Sequence, residues 1–514
     1  MNNGRICVSV CAETADELIE QIKSAEDLAD VIEIRFDCLD KSEFDCFDLK
    51  KLDSTLSKIL NEDYSKPLLS TFRPKEQGGK YSITYKERIN FWNMGYDSVW
   101  ADLEEDVFEN SLYWLYYPTI LSHHDFTGVP DNLDKIYQKI KKTECADVIK
   151  IAVQTNHITD TIAVWELLEK AKSENKQIIP VAMGEAGKWM RILGLAYGAF
   201  MTYASLEAGN ETAPGQVTAK DLIETYRVKE LNEQTEIYGI VGNPVSQSLS
   251  PFMHNAAFKF HNLNAVYIPF EVKNLDEFIK RFVRRETREI ELNFKGFSVT
   301  IPHKQAIIKH LDSVDETAQA IGAVNTVKIE DGKLYGYNTD AQGFIEPLKN
   351  SYGDLGNTKV AILGAGGAAR ACIYALKKEG AKVVIFARNL EKAESLADEF
   401  EVELREFQKT EDRNPKSNFN EFDILVNATP LGMKGEFESE TPLFAEQMKN
   451  VRLVYDLIYN PFETRLIREA RKANVPTIGG LAMLVAQGAA QFKIWTGENA
   501  PVSEISAAAL RKIS

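Results

Sequence analysis

The feature that most constrains the fold is a regular alternation of apolar and amphipathic segments over the first 225 residues. Charged stretches with apolar residues at helical spacing separate most of the apolar runs. Eight strand and helix alternations in little over 200 residues predict a compact parallel (β/α)8 barrel, with an open doubly wound sheet as the alternative. The eight apolar runs read RICVSVCA, VIEIRFD, PLLSTFR, SVWADLE, TILSHHD, DVIKIAV, QIIPVAM and FMTYAS.

The rest of the chain has a different pattern. The polar stretch RVKELNEQTE at 226–235 predicts a linker, because a new apolar strand, IYGIVGNP, follows it directly. Strands and helices are mixed up to about residue 340, and from residue 358 the order becomes a regular strand, helix, strand. The last 35 residues predict helices. A chain of 514 residues is too long for one ordinary domain, so we expect separate α/β domains on the two sides of the linker.

Charge and composition exclude several classes of protein. The 60 basic and 76 acidic side chains give a net charge of −16, which disfavours binding to nucleic acid or to an anionic membrane. No apolar run approaches the roughly 20 residues that span a bilayer. The first residues, MNNGRICVSVCAETADE, lack the pattern of a signal or transit peptide, which predicts a cytoplasmic protein; a plastid protein without its transit peptide would look the same.

The cysteines show no CxxC pair and no metal-ligand spacing with histidine, so no metal site is predicted. A cytoplasmic compartment is reducing and keeps thiols free. The sequence therefore predicts six free thiols, at Cys7, Cys11, Cys38, Cys46, Cys145 and Cys372.

Polar residues lie in the second half of most strands of the predicted barrel. Since the carboxyl ends of parallel strands form the reactive face of such a barrel, we expect these side chains around one pocket. Lys150 is the most informative, because its apolar neighbours in ADVIKIAV predict a partly desolvated amine. Desolvation and nearby cations favour Schiff-base chemistry, while a lysine paired with a glutamate is the structural alternative. The whole group comprises Glu33, Arg35, Arg73, Glu104, His124, Lys150 and Met183.

The SHHDF segment supplies a second reactive group. Imidazole titrates near neutrality and therefore suits a proton shuttle. Neighbouring residues on a strand face opposite sides, so only one of His123 and His124 enters the lumen easily. Glu104 in WADLEE would either orient that imidazole or form a salt bridge with Arg73.

Taken in order, EIRFD, TFR, DLE, SHHDF, ADVIKIAV, MGEAGKWMRILG and TAPGQ resemble type I 3-dehydroquinate dehydratase over nearly all of residues 5–222. The resemblance implies that Lys150 forms a Schiff base, that His124 is the general acid and base, and that Glu104 is its partner. Arg191 is then the carboxylate clamp, since a guanidinium fork suits a carboxylate. The other implied pocket residues are Glu33, Arg35, Arg73, Met183, Thr212 and Gln216, with Thr212 standing where bacterial members more often carry serine.

A nucleotide-binding pattern lies in the second half. GAGGAAR follows a strand and opens a helix, as the G-x-G-x-x-[GA] dinucleotide fingerprint requires. Its glycines let a pyrophosphate approach the helix N-terminus. The next strand ends in FARN, with Arg388 in place of an acidic residue, which indicates NADP instead of NAD. A solvated arginine is the structural alternative.

In this order, GNPVSQSLSPFMHNAAF, SVTIPHK, GAVNT, YNTDAQG, DILVNATPLGM, YDLIYNP and GGLAMLVAQ resemble shikimate dehydrogenase over residues 236–514. The resemblance implies that Lys304 and Asp340 form the proton-transfer pair. Implied substrate contacts are Ser248, Ser250, Thr300, Asn325, Asp340, Tyr459 and Gln487. Implied cofactor contacts are Gly364, Ala365, Gly366, Gly367, Ala368, Arg388, Asn389, Ala428, Thr429 and Gly480. Ser298 departs from the NVT of many bacterial members.

Together the resemblances imply a bifunctional enzyme of the plant-type fusion. Its barrel would dehydrate 3-dehydroquinate to 3-dehydroshikimate, which the second half would reduce to shikimate with NADPH, on the route to aromatic amino acids. These small molecules are the expected partners, without nucleic acid or membrane, and the oligomeric state is left open, a monomer included. The implied domains are a dehydratase barrel at 1–225, a shikimate-binding domain at 236–345 with 481–514, and an NADP-binding Rossmann domain at 346–480.

Three other functions fit parts of the pattern. A ligand sensor that has lost its chemistry would lack Lys150, His124, Lys304 or Asp340, and all four are present. A quinate dehydrogenase that uses NAD is opposed by Arg388, although the pocket motifs alone do not exclude quinate. A class I aldolase barrel shares the lysine chemistry but leaves His124 and the second half unexplained.

Overall fold

The computed structural model of the chain describes residues 2–94, 99–108, 119–143, 146–407 and 419–513. The first part is the predicted (β/α)8 barrel, with all of its strand pairs parallel. Its strands are β1 (Arg5–Val10), β2 (Val31–Arg35), β3 (Leu68–Thr71), β4 (Val99–Glu104), β5 (Thr119–Asp125), β6 (Val148–Gln154), β7 (Ile178–Met183) and β8 (Met201–Ser205). Its helices are α1 (Ala15–Ala25), α2 (Leu49–Leu60), α3 (Tyr85–Trp92), α4 (Glu105–Phe108), α5 (Leu133–Lys141), α6 (Thr161–Ser173) and α7 (Lys188–Leu193).

The sheet order shows a barrel instead of the open doubly wound alternative. The strands run β7, β6, β5, β4, β3, β2, β1, β8, followed by the short β9 (Val217–Thr218). The first strand therefore lies beside the last, as closure of a barrel requires. A backbone hydrogen bond of 2.9 Å from Phe200 N to Ile178 O joins the start of β8 to the start of β7.

Burial explains why these segments adopt these elements. All five residues of β2 are buried, which is typical of a strand covered on both faces. Helix α1 begins after Thr14, whose side chain accepts a hydrogen bond from Glu17 N, and it buries Leu18 and Ile22 while its charged residues face outwards. The lumen is filled by apolar side chains, among them Cys7, Val31, Leu69, Ile120, Val148, Ile179 and Met201. This packing leaves the polar strand ends as the place for a site.

The prediction of six free thiols is wrong, because Cys11 and Cys38 form a disulfide with 5.4 Å between their Cα atoms. Cys11 follows the last residue of β1, and Cys38 closes a short 3₁₀ turn after β2. These strands are parallel neighbours, so their carboxyl ends lie side by side although 27 positions separate the cysteines in sequence. Spacing rules for short motifs do not detect such a pair. The thiols of Cys7, Cys46 and Cys372 are free and buried, and Cys145 lies outside the described residues.

The second half contains two six-stranded sheets. The first is mixed, with the order β11, β10, β12, β14, β15, β13. Its strands are β10 (Glu236–Gly242), β11 (Ala265–Glu271), β12 (Gly296–Val299), β13 (Ser313–Val314), β14 (Thr326–Glu330) and β15 (Lys333–Tyr337). The helices of this region are α8 (Ser250–Phe260), α9 (Leu275–Phe278), α10 (Glu316–Ile321), α11 (Asp340–Tyr352), α15 (Gly480–Thr496) and α16 (Val502–Ile513).

The other sheet is parallel and has the Rossmann order β18, β17, β16, β19, β20, β21. Its strands are β16 (Lys359–Leu363), β17 (Lys382–Ala387), β18 (Glu403–Glu406), β19 (Ile424–Asn427), β20 (Leu453–Asp456) and β21 (Thr477–Ile478), and its helices are α12 (Gly367–Lys378), α13 (Leu390–Glu399) and α14 (Arg465–Lys472). The strand order reverses between β16 and β19. Dinucleotides bind outside the strand ends at such a switch point.

The chain divides into two compact units. One comprises residues 1–237, 244–246 and 264–293, and the other comprises residues 238–243, 247–263 and 294–514. Within the first unit, the rings of Phe270 and Phe282 lie 6.5 and 6.0 Å from that of Trp189. The domain limits drawn from the sequence stay predictions. Among the helices that the structure describes, none is long and apolar enough to cross a membrane.

Candidate active sites

A pocket lies at the carboxyl ends of the barrel strands. It is lined by nine of the ten residues that the sequence predicts there, namely Glu33, Arg35, Arg73, His124, Lys150, Met183, Arg191, Thr212 and Gln216. The tenth, Glu104, is buried beside the pocket and does not line it. The strand-end pattern accounts for six of the nine, because parallel strands bring their carboxyl ends together whatever their distance in sequence, and the resemblance supplied Arg191, Thr212 and Gln216.

The Lys150 amine is buried among charged groups. Only 5% of the residue is exposed, and Nζ donates a 2.7 Å hydrogen bond to Oδ2 of Asp102. Oε1 of Glu33 lies 4.0 Å from the same nitrogen, and Glu33 is held by hydrogen bonds from Ser9 Oγ and Thr71 Oγ1. Burial and then the charge of Arg73 lower the pKa of Lys150, against the opposing effect of the two carboxylates. A lowered pKa gives more of the neutral, nucleophilic amine.

Arg73 connects the lysine to the histidine. Its guanidinium forms an ion pair with Asp102 and contacts the imidazole of His124. Burial, followed by the charges of Arg73 and Lys150, holds the pKa of His124 well below its ordinary value. The imidazole is therefore neutral near pH 7, and both of its ring nitrogens lie within hydrogen-bond distance of Nη1 of Arg73.

The structure does not form the expected pair of Glu104 and His124. Glu104 contacts Nη1 of Arg88 at 3.4 Å, and none of the hydrogen bonds among the described residues joins it to His124. Burial raises the pKa of Glu104 to about 7. The imidazole of His124 is contacted instead by Nη1 of Arg73.

Arg191 is the cation in this pocket whose positive charge is least balanced by other groups of the protein. The residue is 4% exposed, and its Nη2 donates a 3.1 Å hydrogen bond to the carbonyl of Pro214, while Nε has no partner among the described residues. Burial lowers the pKa of Arg191 to about 10. By contrast, Arg35 makes a bidentate contact with Asp37 at 2.9 and 2.7 Å. A buried and weakly paired guanidinium is suited to an anionic ligand.

Three neighbours of this pocket escaped the sequence prediction. Asp102 lies two positions before Glu104 on β4, so alternation puts both on one face, and that rule could have found it. Tyr203 and Gln77 line the pocket, and Oε1 of Gln77 is buried without a partner in the described part of the chain. No motif singled out either of them, because an aromatic residue in a strand and an amide in a short 3₁₀ turn are usually structural.

A second pocket lies in the other unit. Its lining includes all seven predicted substrate residues, together with Lys304 and two predicted cofactor residues: Ser248, Ser250, Thr300, Lys304, Asn325, Asp340, Ala368, Tyr459, Gly480 and Gln487. Ser248 and Ser250 lie at the start of α8, where Oγ of Ser248 accepts a 3.2 Å hydrogen bond from Ser250 N. Backbone donors at a helix start and two hydroxyls suit a carboxylate.

Lys304 and Asp340 form the expected pair. Nζ of Lys304 donates a 2.5 Å hydrogen bond to Oδ2 of Asp340, and Nδ2 of Asn325 donates a 2.8 Å bond to Oδ1. Asp340 is the first residue of α11, and its own backbone N donates to Oδ1 of Asn338. The carboxylate is therefore fixed on both oxygens, and it positions the amine of a side chain that is 19% exposed and lines the pocket.

Ser298 and Gln491 also line this pocket, and the sequence assigned no role to Gln491. Oγ of Ser298 donates to Oε1 of Gln491 at 3.0 Å, and Nε2 of Gln491 donates to Oγ1 of Thr326 at 3.0 Å. This network connects β12 and β14 to α15. It fixes the wall of the pocket where Ser298 departs from the common asparagine.

The glycine-rich turn has the space that a dinucleotide needs. Gly364 has a φ of +105°, and a Cβ atom there would lie 2.9 Å from the carbonyl oxygen of Ala428. A Cβ atom on Gly366 or Gly367 would meet nothing within 4 Å, so the start of α12 is open to a pyrophosphate.

The other predicted cofactor residues lie after the neighbouring strands. Arg388 is exposed at the end of β17, and Asn389 caps α13 by accepting a hydrogen bond from Lys392 N. Thr429 follows β19, and its Oγ1 donates a 2.6 Å hydrogen bond to Oδ1 of Asn427. These residues fit NADP.

Comparison with known families agrees with both pockets. The model of type I 3-dehydroquinase matches residues 6–233. The models of the shikimate dehydrogenase substrate binding domain, of shikimate / quinate 5-dehydrogenase and of the shikimate 5'-dehydrogenase C-terminal domain match residues 240–327, 346–448 and 480–510.

Individual relatives give the same assignment. The bifunctional 3-dehydroquinate dehydratase/shikimate dehydrogenase, chloroplastic, of Arabidopsis thaliana is 35% identical over 526 residues, which cover 97% of this chain and 83% of that protein. The NADP⁺ shikimate dehydrogenase of Methanocaldococcus jannaschii is 44% identical over 286 residues, which cover 55% of this chain and 99% of that protein. A crystal structure of a shikimate dehydrogenase in complex with NADP⁺ covers 55% of this chain and 98% of its own, with a TM-score of 0.50 and 42% identity. The chain belongs to the family of bifunctional enzymes that join a type I 3-dehydroquinate dehydratase to an NADP-dependent shikimate dehydrogenase.

Proposed function

We propose that Lys150 and His124 carry the dehydration of 3-dehydroquinate, and that Lys304 and Asp340 carry the reduction of 3-dehydroshikimate to shikimate. The two reactions are those of the family, and the assignment to these residues is the proposal. The observation that carries it is the environment of Lys150, a buried amine of lowered pKa beside a neutral imidazole and a weakly paired guanidinium.

In the barrel, the neutral Lys150 amine bonds to the ketone carbon of the substrate, and the ketone oxygen leaves as water. The resulting iminium makes the adjacent C–H bond acidic, because the cationic nitrogen accepts the electron pair. His124 takes that proton, and the hydroxyl at the β position leaves with a proton as water. One further water then hydrolyses the iminium, which releases 3-dehydroshikimate and the free lysine, so the net change is the loss of one water.

The other barrel residues orient the substrate. Arg191 binds the carboxylate, and the weak compensation of its charge within the protein supports this role. Glu33, Arg35, Arg73, Gln216 and Thr212 surround the ring and its hydroxyls. Met183 covers an apolar face. Glu104 keeps its buried position beside Arg88, and we assign the orientation of His124 to Arg73.

In the second pocket, NADPH supplies the hydride for the ketone carbon when it is bound. Lys304 donates a proton to the ketone oxygen, and Asp340 holds the amine in place through the 2.5 Å hydrogen bond. Ser248 and Ser250 bind the substrate carboxylate at the start of α8. The remaining contacts to substrate hydroxyls fall to Thr300, Asn325, Tyr459 and Gln487.

The cofactor contacts follow the strand ends of the Rossmann sheet. Gly364, Ala365, Gly366, Gly367 and Ala368 hold the pyrophosphate, because their turn leaves open space before α12. Arg388 and Asn389 bind the 2′-phosphate and the ribose end, which the exposed position of Arg388 supports. Ala428, Thr429 and Gly480 border the nicotinamide end.

The intermediate exchanges freely with solvent in this proposal. Each pocket is lined by residues of one compact unit, and each has its own complete set of reactive groups. A chase with unlabelled 3-dehydroshikimate during turnover of labelled 3-dehydroquinate is expected to dilute the labelled shikimate. Product that keeps its label would contradict free exchange.

The proposed setting is a cytoplasmic protein that acts on these small molecules without nucleic acid or membrane, with the oligomeric state left open and a monomer among the possibilities. The net charge of −16 supports the absence of polyanionic partners. A plastid is the alternative, since the relative from Arabidopsis thaliana is chloroplastic. Light scattering that gives a mass near 57.9 kDa would support the monomer, and microscopy of the tagged gene product would separate the two compartments.

The test of both activities is NADPH oxidation by the purified chain, started with 3-dehydroquinate alone and, in parallel, with 3-dehydroshikimate. Oxidation from both substrates supports two working sites in one chain. Oxidation from 3-dehydroshikimate alone would leave the barrel without the proposed dehydration. Borohydride added with 3-dehydroquinate is expected to fix the substrate on Lys150, and a label on another residue would contradict the assignment.

A further inference from the structure

Tyr203 makes a contact with the reacting nitrogen that the proposed mechanism leaves unused. It lies on β8, is 4% exposed and lines the barrel pocket. Nζ of Lys150 lies 4.0 Å from the centre of its ring. Within the described residues, the phenol oxygen is buried and has no hydrogen-bond partner. The ring face, and not the hydroxyl, is therefore the part of Tyr203 that the structure places on Lys150.

The sheet order puts Nζ between two different partners. Asp102 comes from β4, two strands from β6 in one direction, while Tyr203 comes from β8, two strands from β6 in the other. The carboxylate holds the amine by a 2.7 Å hydrogen bond, and the centre of the ring lies 4.0 Å from the same nitrogen. Because both groups sit on barrel strands, their positions are fixed before substrate arrives.

The two partners respond differently when the lysine reacts. An ammonium has three N–H donors, but an iminium nitrogen bonded to the substrate carbon keeps only one. Hydrogen bonding to carboxylates therefore decreases along the reaction, while the nitrogen still carries positive charge. An aromatic face attracts a cation without needing an N–H bond, so this attraction persists in the iminium.

We propose that Tyr203 is a positioning residue of the dehydratase, whose ring face holds Nζ of Lys150 and stabilises the cationic iminium. The proposal rests on the proposed role of Lys150 as the Schiff-base lysine. It assigns no role to the hydroxyl, so phenylalanine is expected to replace tyrosine, whereas an aliphatic residue is not.

The ring also stabilises the ammonium form of the free enzyme. Its removal should therefore lower the pKa of Lys150 and move the limb of the kcat/KM profile that reports this amine to lower pH. Admission of water into the emptied space would act in the opposite direction, because it relieves the desolvation of the ammonium. The sign of the movement thus separates loss of the ring from loosened packing. The other titratable or charged groups around Lys150 are Cys7, Glu33, Arg35, Arg73, Asp102 and His124.

The experiment compares Tyr203→Leu with Tyr203→Phe in the full chain. Met201→Val is the matched control, because Met201 lies on the same strand, packs in the same lumen and does not line the pocket. Dehydratase kcat and KM are measured from pH 5 to 9, with circular dichroism and thermal unfolding as checks on the barrel. Borohydride trapping on Lys150 in the unchanged chain comes first, since its failure would remove the proposed function and not the role of the ring alone.

We expect Tyr203→Leu to lower kcat by about thirtyfold, the effect of one desolvated cation–π contact, with a smaller change in KM. Its pH limb should move downwards, and the yield of trapped adduct should fall. Tyr203→Phe and Met201→Val should stay within about threefold of the unchanged chain. Two results would overturn the proposal. One is a limb of the kcat/KM profile that stays at its pH or moves to higher pH in Tyr203→Leu. The other is a Tyr203→Phe variant that is as slow as Tyr203→Leu.

Discussion

The two pockets each contain a lysine to which we assign a reactive role, and the surroundings of the two amines differ. Lys150 is 5% exposed on a barrel strand, with Asp102, Glu33 and an aromatic ring around its nitrogen. Lys304 lies in a loop after β12, is more exposed than Lys150 and pairs with the carboxylate of Asp340. In the barrel, burial and a neighbouring arginine disfavour the charged amine, which supports the proposed role of Lys150 as a nucleophile. In the second pocket, a 2.5 Å hydrogen bond to Asp340 holds the amine of Lys304 in place.

The comparison shows how environment decides the chemistry of a side chain. A lysine that must bond to carbon has to lose its protons, and desolvation favours that loss. A lysine that must donate a proton has to keep it until the substrate oxygen becomes basic, and a carboxylate favours that state. Residue type does not separate these cases in the sequence, because both residues are lysines. Their positions do, because Lys150 lies within a strand and Lys304 follows one.

The largest effect that would test this contrast is expected from Lys150→Ala. Removal of the nucleophile should lower dehydratase kcat by a factor of about 10⁴ or more, while oxidation of shikimate in the same chain stays unchanged. Both activities are measured on one preparation, so the dehydrogenase serves as the internal control. Loss of both activities would mean that the two halves depend on each other.

The reciprocal variant, Lys304→Met, should affect only the second reaction. Loss of a positioned proton donor costs about 10³-fold in kcat, within the range of general acid catalysis. The binding of NADPH, followed by its fluorescence, should persist because Lys304 lies outside the predicted cofactor contacts. If dehydration of 3-dehydroquinate were also to fall, the separate roles of the two lysines would be contradicted.

The halves should also differ in their response to reductant. The Cys11–Cys38 disulfide closes a loop of 27 residues in the barrel, and loop-closure entropy assigns it about 3–4 kcal/mol of the free energy of unfolding. Dithiothreitol should therefore lower the urea concentration at which dehydratase activity is lost and leave that of the dehydrogenase in place. A Cys11→Ser/Cys38→Ser variant is the control, because it has no disulfide to reduce. If dithiothreitol also lowered the urea concentration at which this variant loses dehydratase activity, the effect could not be assigned to the disulfide.

The smallest effect concerns Glu104. Burial raises its pKa in the folded protein to about 7, from 4.5 when exposed. Its protonated form therefore stabilises the barrel fully below pH 4.5, and this contribution of about 3 kcal/mol is lost as the pH rises through 7. Glu104→Gln stays neutral, so it should raise the thermal stability of the barrel at pH 8 and leave it unchanged at pH 4.5. An equal gain at both pH values would point to packing instead of titration.

Much of this architecture could be predicted, because periodic patterns report local structure and parallel strands bring their ends together. All eight barrel strands and the substrate and cofactor turns of the second half follow from the sequence. The disulfide and the pairing of Glu104 with Arg88 do not, since both depend on which side chains become neighbours across the barrel. Tyr203 was missed for a related reason: a ring on a strand gives no sign that its face meets an amine on another strand.

The disulfide has a mechanical consequence. A pull on the N-terminus would first peel β1 from its neighbours, beginning at Arg5, until the force reaches Cys11. From there the load passes through the sulfur bridge to Cys38, and the 27-residue loop that contains α1 is bypassed. That loop holds about 90 Å of chain that cannot extend while the bridge is intact. In a single-molecule trace, reduction would appear as this added length, released from the barrel alone.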